Sequence, residues 1–472
     1  MSLKNTIPQK QRALVLQGGG ALGAYEAGAI TVLCEHLTDV DTGDSEKEGP
    51  LFDIIAGTSI GAMNAAVLVS NVVNKKKSWK DAAEVLVHFW TDGAKEEEKE
   101  DEKKGGLSYT PDFSNWLLDE QTKKPKIFNA SPEAVRRYYS VKQYFVTGAP
   151  NFFCPEKPAE IDSRFQDNGL YGNQWQVYRN KPLEQTIIRY SKAESGEKTD
   201  GEDDLRIATS WDKRQPRLLV ISLDVADGKT VAFDSYHTEV EDPGNSLYDG
   251  HGITINHVMA SGTLPELYKF RDIPKEGGRK FCDGGILSNT PFRELLQAHR
   301  DYWKKRLSVE DHPKIPDLDV YIINVHPSKQ YTVPAEDHDS VKDRINDITY
   351  SDRNSHYDEM VADLATAYTE LIHNLKELAK RHFKNKDQSA AAFQEEFENI
   401  LKANQEKSRG NTVEDRKYKE LIKGRFKVTV TRIENESYED SIYGKVGDST
   451  SKTIKDVIAK GKEDARRVLK LQ

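Results

Sequence analysis

The sequence predicts an α/β protein built on a parallel sheet covered by helices. From Arg12 to about Trp90, strand-length apolar runs alternate with glycine turns and helical patterns, the order that builds parallel sheets. After a long polar interruption the same pattern resumes with Arg217-Leu-Leu-Val-Ile-Ser-Leu-Asp224 and the run Asp319 to Val325. With 472 residues the chain has room for two or three domains, or for one enlarged by insertions.

The first strand, Arg12 to Gln17, leads into Gly18-Gly-Gly-Ala-Leu-Gly23 and a helix. The second, Phe52-Asp-Ile-Ile-Ala56, turns through Gly57-Thr-Ser59-Ile-Gly61 into a helix of small residues beginning at Ala62. Charge runs at Lys95 to Lys104 and Lys192 to Asp204 have no apolar face and read as solvated loops. They bracket an insertion, 93–215, whose middle is rich in aromatics: Tyr109, Trp116, Phe128, Tyr138, Tyr139, Phe145, Phe152, Phe153 and Trp175. Ala226-Asp-Gly228 between two strand-length runs signals a hairpin. A short helix near Asn256 to Ala260, a strand ending near Cys282 and a helix from Pro291 complete a first domain over 12–330. In 331–472 the character becomes mainly helical. Val361, Leu364, Tyr368, Leu371, Leu375 and Leu378 mark an amphipathic helix, and the expectation is that its stripe packs on the first domain. Phe426, Val428 and Val430 alternate as in a half-buried strand, and Ser449-Thr-Ser451 stands ready to cap a final helix.

Composition excludes several function classes. A net charge of −9 gives no electrostatic reason to bind nucleic acid. Three scattered cysteines, Cys34, Cys154 and Cys282, build neither a disulfide framework nor a tetrahedral metal site, and they suit a reducing compartment. No apolar run has the length of a signal-peptide core or of a membrane span, so the expectation is a cytoplasmic protein that touches membranes only transiently and from outside. Lys75-Lys-Lys77 and Arg136-Arg137 are the basic clusters available for such contact, with ordinary solvated faces as the preferred reading.

Gly18 to Gly23 matches the G-x-G-x-x-G dinucleotide fingerprint letter for letter. That fingerprint also requires a second strand ending in an acid about 20 residues on, and Glu35 to Asp44 holds no such strand. Gly57-Thr-Ser59-Ile-Gly61 has the strand, turn and helix context of a nucleophile elbow, where small neighbours let a strained turn project the serine hydroxyl. Such a hydroxyl needs a base, and its attack creates an oxyanion that needs preorganised N–H donors. The glycine loop can supply the donors, and Asp283, followed by Gly284 and Gly285, is the candidate base. His326 is a rival base that would make a Ser-His-Asp triad, and His251 and His257 precede Asp283 in the chain.

Taken together, these residues resemble the patatin-like phospholipases, serine acyl hydrolases that use a Ser-Asp dyad on a three-layer α/β/α fold. The likeness rests on Gly18 to Gly23, Gly57 to Gly61, Ala260-Ser-Gly-Thr-Leu-Pro265, and Asp283-Gly-Gly285 followed by Asn289-Thr-Pro291. It implies Ser59 as nucleophile, Asp283 as base, and the backbone of Gly18, Gly19 and Gly20 as oxyanion hole, with Gly23, Gly57, Gly61, Gly284 and Gly285 supporting the motifs. No cofactor or metal is implied, and the substrate is a lipid or other acyl ester. Leu22 departs from the pattern, since many members carry Arg or Lys at that place in the loop. The aromatic insertion is read either as a lid over an acyl chain or, preferably, as a small core of its own. Two other classes stay open: a nucleotide-binding oxidoreductase using the glycine loop, and a catalytically silent lipid-binding scaffold.

Overall fold

The computed structural model describes residues 7–42, 49–92, 107, 136–137, 139–141, 148–149, 151–155, 178–192, 205–236, 247–248, 252–265, 267–274, 278–307, 314–329, 338–352, 355–382, 388–402, 424–436 and 444–471. Eight strands form one sheet: β1 (Lys10–Leu16), β2 (Ile54–Thr58), β3 (Arg217–Asp224), β4 (Lys229–Asp234), β5 (Arg271–Ile273), β6 (Arg279–Asp283), β7 (Asp317–Asn324) and β8 (Val428–Glu434). Their order is β8-β7-β1-β2-β3-β6-β5, with β4 also paired to β3. The fold is therefore mixed α/β with a mostly parallel central sheet, as the alternation of runs predicts. β2 and most of β3 are buried along their whole length, which is why they read as continuous apolar runs. The Asp227-Gly228 hairpin forms between β3 and β4, with Gly228 at φ +61°.

The helices are α1 (Gly23–Thr42), α2 (Ile60–Val73), α3 (Trp79–Thr91), α4 (Lys181–Ser191), α5 (Ile255–Ser261), α6 (Phe292–Arg306), α7 (His338–Tyr350), α8 (Ser355–His382), α9 (Gln388–Lys402) and α10 (Ser451–Leu469). None of the described helices is long and apolar enough to cross a membrane. By contact the chain falls into two compact units. The larger comprises Arg12–Phe292, Tyr321–Arg353 and Thr431–Gln472; the smaller comprises Met1–Gln11, Arg293–Val320 and Asn354–Val430. Each unit draws on sequence from both sides of residue 330.

In the larger unit, α1 packs against α2, α3 and, most extensively, α10. A methyl group on Gly28 would lie 2.1 Å from the Ile458 carbonyl oxygen, and one on Gly461 would lie 2.1 Å from that of Tyr25. The two helices thus touch backbone to backbone at reciprocal glycines. Tyr25 Oη seals the crossing by donating to Asp464 Oδ2 at 2.9 Å in a buried setting. The described part of the insertion contributes Phe152, Phe153 and Tyr178 to the core, where their rings meet edge to face. Tyr109, Trp116, Phe128, Tyr138, Phe145 and Trp175 lie outside the described residues. Arg136 and Arg137 turn inward: Arg136 donates to Thr450 Oγ1 and Thr453 Oγ1 at 2.6 Å, and buried Arg137 to Asp448 at 3.3 Å. That geometry corrects the preferred reading of these two arginines as an ordinary solvated face, and equally the alternative of headgroup contact.

In the smaller unit, α8 forms over the stripe that the periodicity marks, yet Leu364, Tyr368, Leu371, Leu375 and Leu378 are all exposed. Elsewhere on the helix, Asp358 accepts from Arg293 Nε at 2.7 Å and Thr366 Oγ1 donates to the Phe426 carbonyl at 3.0 Å. The packing expected for this stripe is corrected accordingly.

A Gly461→Ala substitution forces α1 and α10 apart and is expected to cost about 2 to 3 kcal/mol of unfolding free energy in urea titrations. Exposed Glu463→Ala on the same turn is expected to change it by less than about 0.5 kcal/mol.

Candidate active site

Two strands share one edge of β3. β2 runs parallel to it and ends with Thr58 opposite Ile221, while β6 arrives antiparallel and ends with Asp283 opposite the next residue, Ser222. The ends of β2 and β6 therefore meet head to head, and the residue after Thr58 is Ser59. Its backbone has φ 54° and ψ −125°, a conformation that is costly for any residue with a Cβ. A methyl group on Gly57 would lie 2.5 Å from the Gly61 carbonyl group, and one on Gly61 2.5 Å from the Leu16 oxygen, so only glycines permit the tight return into α2. This is the elbow anticipated from Gly57 to Gly61.

Ser59 Oγ donates to Asp283 Oδ2 at 2.7 Å, and Asp283 Oδ1 accepts the Gly285 N–H at 2.7 Å. The carboxyl is 2% exposed. Burial pushes its pKa up to about 6, against the lowering effect of the bonds from Ser59 and Gly285. Asp283 thus holds a proton more tightly than an ordinary aspartate and already accepts the Ser59 hydroxyl hydrogen.

The segment 260–265 organises both residues. Ser261 Oγ accepts the Ser59 N–H at 2.8 Å and donates to the Ile221 carbonyl at 2.5 Å, bridging the point where the ladder passes from one strand to the other. Thr263 accepts the Asp283 N–H at 2.9 Å through its carbonyl. A methyl group on Gly262 would fall 3.9 Å from Ser59 Oγ and 2.3 Å from Met63 Cε. Gly284 packs equally closely on the Ile221 carbonyl, and Gly23 on Ile60.

In the glycine loop, Gly18 faces Ser59, since a methyl group on it would lie 3.0 Å from Ser59 Cβ. Its N–H, however, donates to the Asn289 carbonyl at 3.1 Å, and Asn289 Nδ2 returns a bond to the Gly18 carbonyl at 3.0 Å. Gly18 is therefore corrected from oxyanion donor to anchor. The N–H groups of Gly19 and Gly20 have no hydrogen-bond partner among the described residues. Neither has that of Ile60, which opens α2 directly after Ser59 and adds the positive end of the helix dipole. Sequence reasoning named the glycines but missed Ile60, although the residue after an elbow serine is a regular donor.

Among the described residues, no hydrogen bond joins a histidine to the Ser59 hydroxyl, whose partner is Asp283. His326 is buried, its Nδ1 lies 3.4 Å from Asp347 Oδ1, and burial pulls its pKa down. His257 caps α5 through Thr254, and His251 lies outside the described residues. Leu22 is buried in the apolar core, so the loop carries no cation at that place.

A sequence profile of the patatin-like phospholipases matches residues 14–296 of the chain. Two proteins of Arabidopsis thaliana align over shorter stretches. "Probable inactive patatin-like protein 9" is 42% identical over 64 residues, 13% of this chain and 16% of that protein. "Patatin-like protein 4" is 37% identical over 71 residues, 14% of this chain and 18% of that protein. The chain thus aligns with less than a fifth of either relative's length. The crystal structure of VipD from Legionella pneumophila aligns at a TM-score of 0.31 and 14% identity, covering 98% of this chain and 67% of that one, a likeness too low to carry an inference. The profile spans more than half of the sequence and contains the elbow, the glycine loop and Asp283, so the chain belongs to the patatin-like phospholipase family.

Proposed function

We infer that the chain cleaves carboxylic ester bonds of lipids through an acyl-enzyme on Ser59. Membership in the family supports lipid acyl hydrolysis in general terms. The observation that carries the finer reading is the 2.7 Å hydrogen bond from Ser59 Oγ to a buried carboxylate of raised pKa.

In the first step Asp283 Oδ2 takes the Ser59 proton as Oγ bonds to the ester carbonyl carbon. The carbonyl oxygen becomes an anion facing the N–H groups of Gly19, Gly20 and Ile60. Collapse breaks the bond to the leaving alcohol, which receives the proton from Asp283. Water then gives a proton to Asp283 and attacks the acyl carbon. The fatty acid leaves, and Ser59 regains its hydrogen. With a pKa of about 6 the carboxylate is about nine-tenths ionised at pH 7, yet a far better proton acceptor than an ordinary aspartate. Lipid substrate contact with a membrane surface belongs to the same reading; no nucleic acid or cofactor enters it.

A fluorophosphonate probe is expected to label the wild type and to leave Ser59→Ala unlabelled, with Asp283→Asn labelled at least about a hundredfold more slowly. Labelling of Ser59→Ala would reject the nucleophile. A wild type that neither reacts with the probe nor hydrolyses phospholipids, acylglycerols or simple esters would favour a silent scaffold.

The base must be ionised, so kcat/KM is expected to fall about tenfold per pH unit below an apparent pKa near 6 and to level off above it. An acid limb at the ordinary aspartate value near 4 would remove Asp283 from the role.

The same raised pKa has a stability consequence. The folded state holds the Asp283 proton more tightly than the unfolded chain, so the stability it contributes is present below about pH 4 and is lost as pH rises to about 6. Neutral, isosteric Asp283→Asn escapes that loss. Chemical denaturation at pH 8 is expected to find the variant about 2 kcal/mol more stable than the wild type, and the two nearly equal at pH 4.

A further inference from the structure

The glycine loop is held by residues far along the chain from it. Gln17 Oε1 accepts the N–H groups of Val325 and His326 at 2.8 and 2.9 Å, while its Nε2 donates to Thr290 Oγ1 at 2.8 Å. Asn289 Nδ2 reaches the Tyr350 carbonyl at 2.7 Å. A methyl group on Gly19 would lie 2.5 Å from Val325 Cγ2 and 3.3 Å from His326 Nε2. Gly20 takes φ +56°, and a methyl group there would lie 2.5 Å from the Val446 carbonyl oxygen. The turn that carries Val446, Lys445–Gly447, therefore sits directly against the loop.

That turn is fastened by an unusual group. Lys445 is 1% exposed, and its Nζ donates to Asp347 Oδ2 at 2.7 Å and to Asp343 Oδ2 at 3.2 Å. Both carboxylates belong to α7, and Asp347 also faces His326 Nδ1. Asp347 is kept below the usual carboxylate range, against its burial, by His326 and Lys445. Burying a lysine between carboxylates is a weak source of stability but fixes geometry, because removing one partner strands the others.

The need for fixed geometry follows from the chemistry. An amide with no partner relaxes toward the nearest acceptor unless its backbone is held. Gly19 and Gly20 lie beside two acceptors, His326 Nε2 and the Val446 oxygen, and their N–H groups must stay open for the substrate.

We propose that Lys445 is a positioning residue for hydrolysis: by tying the 444–447 turn to Asp343 and Asp347, it seats the Val446 carbonyl against Gly20 and holds the Gly19 and Gly20 N–H groups where the oxyanion forms. This rests on the Ser59 and Asp283 reading above.

The test uses the full chain with Lys445→Met. Active sites are counted with a fluorophosphonate probe, and kcat is expressed per titrated site on a p-nitrophenyl acyl ester. The expected result is a fall in kcat of about tenfold to a hundredfold, KM within about twofold, and an acid-limb pKa unchanged from wild type. Fewer titratable sites with an unchanged kcat per site would mean bulk structural support and would overturn the proposal. So would a shifted acid limb, which places the damage at Asp283. Should Lys445→Met fail to fold, Asp343→Asn decides by the same ratio, since it keeps the Lys445–Asp347 pair and is expected to lower kcat by severalfold. Labelling of Ser59→Ala overturns both readings; a labelled wild type with unimpaired Lys445 and Asp343 variants overturns this one alone.

Discussion

One edge of β3 is shared by two strands, and the geometry of the candidate site depends on the point where they meet. β2 and β6 approach from opposite directions and stop at adjacent positions, Ile221 and Ser222. A gap of that kind leaves backbone groups without ladder partners in a buried place. The Ser261 hydroxyl closes it from both sides, accepting from Ser59 N–H and donating to the Ile221 carbonyl. The strained Ser59 backbone is tolerated because the ladder below it and α2 above it both fix its neighbours. Proximity of hydroxyl and carboxyl thus follows from sheet register, and it needs no movement of either strand.

Register brings the groups together, and burial raises the proton affinity of the carboxyl. An exposed aspartate is too weak a base to deprotonate a serine at a useful rate, whereas Asp283 is pushed up to about 6 by its surroundings. The Gly285 N–H limits the shift by holding one carboxyl oxygen and leaves the other for Ser59. Histidine is the usual answer to this problem, and His326 lies close to the glycine loop, its Nε2 3.3 Å from where a methyl group on Gly19 would be. Its ring is instead committed to Asp347 and Tyr350, with its proton affinity lowered by burial. In the proposed reaction the carboxylate does alone what a histidine does elsewhere.

Much of this was legible in the sequence, and the exceptions have a common cause. The strands, the Asp227-Gly228 hairpin and the elbow could be read because turns and apolar runs are local signals. The likeness to the family tied Ser59 to Asp283 across 224 positions, which spacing alone could not do. Ser261 was visible only as part of a motif, since its partners Ser59 and Ile221 are 202 and 40 residues away. Gly18 looked like one more bare amide, and only the return of Asn289 to the loop turned it into an anchor. Arg136 and Arg137 could not reveal from their own neighbourhood that Asp448 awaits them. For α8, periodicity identified which side chains share a face but not where that face points.

The uncharged loop explains why so much structure is spent on holding it. A cation near the oxyanion acts through a field that falls slowly with distance, so it tolerates small displacements. Leu22 supplies no charge, and in the proposed reaction stabilisation comes from amide dipoles and the start of α2. Hydrogen bonds of that kind weaken steeply with angle and separation. A dipolar hole therefore demands rigid placement, and the matched profile ends at residue 296, before Val325, His326, Tyr350 and Val446. Those residues press on or bond to the loop and its flanks, and the turn among them is tied to α7 through Lys445. In the proposed reaction the segments beyond the profile are in this sense part of the oxyanion site, because an amide donor is only as good as the precision with which it is held.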